Sequence, residues 1–228
     1  MANPGLSRRV VLAAAMAAIA ALRATSAIAD SARDQALIAA AGRGDAAAVK
    51  TLLRDGASIA ARDQRGRSAL LAATHGNRVE VARLLIAAGA DVNAKDDIED
   101  TPYLYAGAEG RNKILKMTLA AGADLKSVNR YGGTALIPAA HHGHPETVAI
   151  LLATGIDKDH VNKLGWTALL EAIVLGDGGA VHVRIVKMLV EAGANVNIAD
   201  GDGVTPLAHA RKRGFTAMVR ILQEAGAR

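Results

Sequence analysis

"DQRGRSALLAATHGNRVEVARLLIAAGADVNAK" (63–95) decides how this chain folds, because the next two blocks of 33 residues repeat its plan. "DDIEDTPYLYAGAEGRNKILKMTLAAGADLKSV" (96–128) and "NRYGGTALIPAAHHGHPETVAILLATGIDKDHV" (129–161) align with it without a gap. A longer copy with five extra residues fills 162–199, and 200–228 stops before another hairpin. At the front, 30–62 shows the second half clearly in "GDAAAVKTLLRDGASIAAR" and the first half faintly. A fixed period of this length means that each unit is one small structural motif, unable to bury its apolar face except by stacking on its neighbours.

The chemistry within the period is that of paired helices. Thr-[Pro/Ala]-[Leu/Tyr] recurs at 101, 134, 167 and 205, with Ser68-Ala69-Leu70 as a variant. The hydroxyl accepts from an unpaired amide at a helix start, and Pro102 and Pro206 fall where a missing N–H costs nothing. Leu/Ala spacing along "TALLEAI" (167–173) and "IVKMLV" (185–190) gives each helix one apolar stripe. Gly56, Gly89, Gly122, Gly155, Gly193 and Gly226 close the units, where a left-handed residue ends the second helix. Asn77 stands in for glycine after the first helix of 63–95, since asparagine also tolerates that conformation.

These residues resemble the ankyrin repeat, whose pattern begins Thr-Pro-Leu-x-x-Ala, over essentially all of 30–228. The resemblance implies an all-α ankyrin-repeat solenoid of helix-turn-helix units with short β-hairpin tips. The units are 30–62, 63–95, 96–128, 129–161, 162–199 and 200–228, first to sixth. "NRYGGTALIPA", "LGWTALLEAI" and "LGDGG" look like a group of small bacterial exported ankyrin-repeat proteins, a likeness that sharpens the fold and supplies no reaction.

Residues 1–29 read as an export signal and not as fold. A paired arginine precedes an alanine-rich apolar run from Val10 to Leu22, and Ala27-Ile28-Ala29 forms a cleavage triplet. Ser7-Arg8-Arg9-Val10-Val11-Leu12 resembles the twin-arginine motif, with Val11 where phenylalanine is commonest. Cleavage after Ala29 leaves 199 residues in the periplasm; an uncleaved amphipathic anchor is the alternative. Loss of Arg8, Arg9 and Arg23, with no acidic residue in the segment, lowers the net charge from +5 to +2. The remainder has no strong claim on nucleic acid and, once cleaved, none on a membrane. With no cysteine the chain offers no disulfide, thiol nucleophile or thiolate ligand. Only 2 % of it is aromatic, so the core is built from Ala, Leu, Val and Ile.

Four features tempt a chemical reading. The acidic run Asp96, Asp97, Glu99, Asp100 lacks the spaced oxygens around a glycine that a calcium loop needs. It falls on a hairpin tip, with Asp96 organising the turn and Ile98 and Asp100 free to meet a partner. Glu99 stands where Gly66, Gly132, Gly165 and Gly203 stand, which implies a remodelled tip or local strain. "HHGHPE" (141–146) offers three imidazoles, but the resemblance places His144 in an ordinary turn, bonded within it. His141 and His142, adjacent on a helix, lie about 100° apart, poor geometry for chelation. "DGDG" (200–203) is a hairpin with its proper glycine, and "RKRG" (211–214) puts cations at a helix end.

The strongest functional signal is at the tips. Trp166, Tyr131 and Leu164 occupy exposed slots and form an expected apolar ridge flanked by Arg65 and Arg67, the alternative being packing between tips. The insert 176–184 reads as a flexible enlarged turn, with His182 or Arg184 as partner for the out-of-place Glu171. No cofactor fingerprint, phosphate loop or nucleophile elbow is present. The expectation is a monomeric, non-enzymatic scaffold binding an exported protein through Arg65, Arg67, Ile98, Asp100, Tyr131, Leu164, Trp166, His141 and His142. The alternative is a carrier of a small ligand, metal or haem that uses the histidine turn.

Overall fold

The computed structural model describes residues 29–228. The expected export signal therefore lies outside the described residues, apart from Ala29. Helix α1 runs over 29–43 and pairs with α2 (Ala46–Arg54). The next units are α3 (Ala69–His75) with α4 (Val79–Ala87) and α5 (Pro102–Ala108) with α6 (Asn112–Ala120). Then come α7 (Leu136–His141) with α8 (Pro145–Leu152) and α9 (Ala168–Val174) with α10 (Ala180–Glu191). The last pair is α11 (Pro206–Lys212) and α12 (Thr216–Glu224). From α3 on, first helices stack on first helices, and from α2 on second helices stack on second. One apolar cluster accordingly runs unbroken from Leu37 to Leu222. Among the described residues no helix is long and apolar enough to cross a membrane.

Each later unit opens on a tip tied by its first residue. Asp63, Asp96, Asn129, Asn162 and Asp200 accept the N–H groups two and four residues on, at 2.8–3.1 Å. Neighbouring tips also touch: the Asp97 N–H donates to Arg65 O at 3.1 Å and the Lys163 N–H to Tyr131 O at 2.9 Å. These bonds are isolated and form no ladder, so the tips are hairpin turns and the described residues contain no β-strand.

The helix caps follow the sequence in four places and fail in one. Ser68, Thr101, Thr167 and Thr205 accept the amide three residues on, at 3.0–3.2 Å. Thr134 does not, and Pro138 is the reason. Its counterparts Ala72, Tyr105, Glu171 and His209 donate their N–H to the capping residue's carbonyl. Proline has no N–H to give. Thr134 O takes the Ile137 N–H instead, α7 begins only at Leu136, and the buried Thr134 hydroxyl is left without a partner.

Backbone conformation departs from the repeat at two more places. Five closing glycines take φ of 80–90°, but Gly155 stays out of the left-handed region. There the Thr154 hydroxyl accepts from the Ile156 N–H at 3.2 Å and donates to Leu151 O at 2.6 Å, closing α8 by a side chain. Glu99 holds φ 65°, beside 70–79° at Gly66, Gly132, Gly165 and Gly203. The tip is not remodelled; it keeps the glycine conformation and its strain.

The insert is not the flexible turn expected. Part of it lengthens α10 to 12 residues, against 9 in α4 and α6. The remainder is a turn closed by Asp177, whose Oδ1 lies 2.8 Å from both the Gly179 N–H and His182 Nδ1. His182 Nε2 is 2.9 Å from His141 O, so the insert is bound to the unit before it. Arg213 likewise reaches back, donating to Val174 O and Gly176 O at the end of α9 and not to its own helix.

Candidate functional site

A groove of about 520 Å³ lies beneath the tips of the third to fifth units. Its rim is the third residue of each tip: Ile98, Tyr131 and Leu164, which are 44 %, 51 % and 54 % exposed. Its wall is the residue four places after Thr101, Thr134 and Thr167, where Tyr105, Pro138 and Glu171 stand in register. Gly133 puts no side chain between rim and wall and leaves the middle open. Arg130 lies over the Tyr131 ring at 4.7 Å, and His75 stacks on Tyr105 at one end with centroids 3.7 Å apart.

The acidic groups are the unusual part. Glu171 is only 6 % exposed. Its Oε1 accepts from Asn162 Nδ2 at 2.9 Å, and its Oε2 sits 3.7 Å from His141 Nδ1, beyond hydrogen-bond length. The partners expected from the sequence, His182 and Arg184, are not used: His182 is held by Asp177 and His141 O. Burial pushes the Glu171 carboxyl up, opposed by the Asn162 bond, and pushes His141 down. Both shifts come from burial, which works against charge on either group, and at 3.7 Å the two side chains make no hydrogen bond. Asp100 is pushed up to about 6, first by burial and then by the Asp96 charge, with Arg130 opposing. Its carboxylate makes no hydrogen bond or ion pair among the described residues.

Of the residues singled out from sequence, Ile98, Asp100, Tyr131, Leu164, His141 and His142 come together on this groove. Arg67 does not; its guanidinium is bound to its own Asp63 at 2.7 and 2.9 Å and borders a smaller recess beside α1. Arg65 is exposed elsewhere, offering its carbonyl to the next tip. Trp166 is half-buried and outside the lining, so the apolar row consists of Ile98, Tyr131 and Leu164. His142 Nδ1 is 2.7 Å from Ala108 O, while the His144 ring makes no hydrogen bond among the described residues and packs over Gly110 instead. Among the described residues no group of three or more His, Asp or Glu side chains is placed to hold a metal ion.

Sequence reasoning overlooked Tyr105, Gly133 and the Asn162 amide. The signal was available in the alignment itself. Read down the position four residues after each Ser or Thr that heads a first helix, Ala72, Tyr105, Pro138, Glu171 and His209 change character at every step, while the core positions beside them stay apolar.

Comparison with known proteins agrees with this architecture. The family model of ankyrin repeats in three copies matches residues 13–96 and 103–200. The crystal structure of an ankyrin repeat domain from Acinetobacter baumannii is 57 % identical, with a TM-score of 0.82, over 84 % of this chain and 98 % of that one. The ankyrin repeat protein EF0377 is 43 % identical, with a TM-score of 0.81, over the same share of each. The putative ankyrin repeat protein YahD of Escherichia coli is 49 % identical over 57 residues, 25 % of this chain. That match spans only 28 % of YahD's length.

Proposed function

Because this chain belongs to the ankyrin-repeat family, whose repeats serve as non-enzymatic protein-interaction scaffolds, we propose that it holds a partner protein in the groove beneath its third to fifth tips. One observation carries the reading: three half-exposed apolar residues from successive tips, Ile98, Tyr131 and Leu164, line a single groove. Exposed apolar side chains that converge on a concavity of this size mark a binding surface, whereas singly scattered ones do not. The tips are fixed by the side-chain ties of Asp96, Asn129 and Asn162, so the rim needs little ordering on binding.

A photocrosslinking residue at Leu164, compared in living cells with one at Lys187 on the opposite helix layer, tests this. The expected result is a discrete adduct from position 164 that disappears with Tyr131→Ala and is absent from position 187. Equal labelling from both positions, or an adduct indifferent to Tyr131→Ala, counts against the groove.

The export segment supports a periplasmic setting as part of the proposal, with an exported partner and a monomeric scaffold. Arg8→Lys with Arg9→Lys is expected to leave the unprocessed chain in the cytoplasmic fraction. Undiminished periplasmic protein in that variant rejects the twin-arginine route.

A further inference from the structure

Resting on that reading, we infer that the groove selects its partner by an arginine side chain, seated between the Tyr131–Leu164 rim and the Glu171 carboxylate. Charge complementarity is the argument. The groove is lined by three carboxyl groups, Asp100, Glu109 and Glu171, against one guanidinium, that of Arg130. Three imidazoles, His75, His141 and His142, also line it, and burial holds His75 and His141 below the usual histidine range. The surplus is therefore negative and sits in a largely apolar enclosure, where a charge interacts more strongly than it does in water.

Glu171 supplies the specific anchor. A carboxyl this deeply placed is costly unless both oxygens are satisfied. Asn162 satisfies Oε1, and the ring nitrogen nearest Oε2 is 3.7 Å away. That leaves one acceptor site on a rigid, nearly buried group that faces the groove. Asp100, also without a side-chain partner, provides a second. An arriving guanidinium meets both needs of this site: its fork donates to a carboxylate, and its plane stacks on aromatic or imidazole faces. Tyr131 already accepts such stacking from Arg130. Lysine, a compact and strongly hydrated ammonium, lacks the plane and fits less well.

The test begins by panning a random dodecapeptide phage library against the purified chain. Peptides whose binding is lost in Tyr131→Ala are groove binders, and these are expected to carry an arginine beside a leucine, isoleucine or aromatic residue. Replacing that arginine by citrulline in the synthetic peptide, which keeps shape and removes charge, should weaken binding about tenfold or more. Glu171→Gln keeps the Asn162 contact and should abolish the difference between arginine and citrulline forms, the signature of direct coupling. Groove binders without arginine, or a citrulline peptide that binds equally well, overturn the inference while leaving the groove as an interface. Failure to recover any Tyr131-dependent peptide removes the groove reading itself and this inference with it.

Discussion

Asn162 Nδ2 lies 2.9 Å from Glu171 Oε1, so the residue that ties the fifth tip also fixes the carboxyl in the groove wall. The same asparagine accepts the N–H groups of Leu164 at 2.9 Å and Trp166 at 3.0 Å. The sixth unit repeats the relationship with roles exchanged: Asp200 Oδ2 is 2.6 Å from His209 Nε2. A first-position side chain thus couples tip geometry to groove chemistry.

Asn162→Ala removes all three bonds and is expected to cost about 2–3 kcal/mol in urea unfolding. Asn162→Asp keeps the two backbone ties but sets a second carboxylate against Glu171. Its destabilisation should be smallest at low pH, where Glu171, whose pKa burial raises, carries a proton, and grow toward pH 8. A pH-independent loss would mean that the two side chains do not face each other.

Asp100 sets a second pH dependence. Its pKa in the fold is about 6, above its ordinary 3.8, so the native state binds the proton more tightly than the unfolded chain. Its contribution to stability is therefore full below about 3.8 and declines as pH rises through about 6. Asp100→Asn should raise the melting temperature at pH 7.5 relative to the parent and leave it nearly unchanged at pH 3. A variant no more stable at neutral pH would contradict the burial argument.

Glu99→Gly should stabilise the chain. A non-glycine residue at φ 65° carries strain of about 1–3 kcal/mol, and the added freedom of glycine in the unfolded state returns about 0.5–1 kcal/mol of that. The Lys95–Glu99 pair, at 3.9 Å and exposed, offers little to lose. Chemical denaturation of the variant should show a gain of up to about 2 kcal/mol; a loss would reveal a contact for Glu99 that outweighs the strain.

The two threonine caps make a paired comparison. Thr101→Ala forfeits the bond to the Leu104 N–H and should cost about 1 kcal/mol. Thr134→Ala forfeits nothing, since that hydroxyl is buried without a partner, and should be neutral or stabilising. Equal losses at both sites would mean that Pro138 does not displace the start of α7.

Fold and tip geometry were legible because period, caps and first-position Asp or Asn are local signals. The exceptions arose where one residue's chemistry acted on another across the repeat. Pro138 silences a cap four residues earlier, and Thr154 does the work expected of Gly155. Tyr131 and Leu164 read as part of one ridge because their spacing equals the period; Ile98, one period earlier, reads as part of the acidic tip and was not joined to them. Trp166 reads as exposed, but its slot, shared with Arg67, Asp100, Gly133 and Val204, is half-buried or buried in every unit, while the slot two residues earlier is exposed in all of them. Glu171 was recognised as out of place, yet its partner was sought in the insert. The insert instead extends a helix and ties itself to the fourth unit.

Gly133 has a consequence for how this protein can change. A methyl added there would meet only Asn129 at 3.5 Å and Ile137 at 3.6 and 3.7 Å, ordinary contacts, and its backbone lies outside the left-handed region. Alanine can therefore be installed at that point without strain or a clash at its Cβ. A single codon there can recut the keyhole while the lock body stays the same.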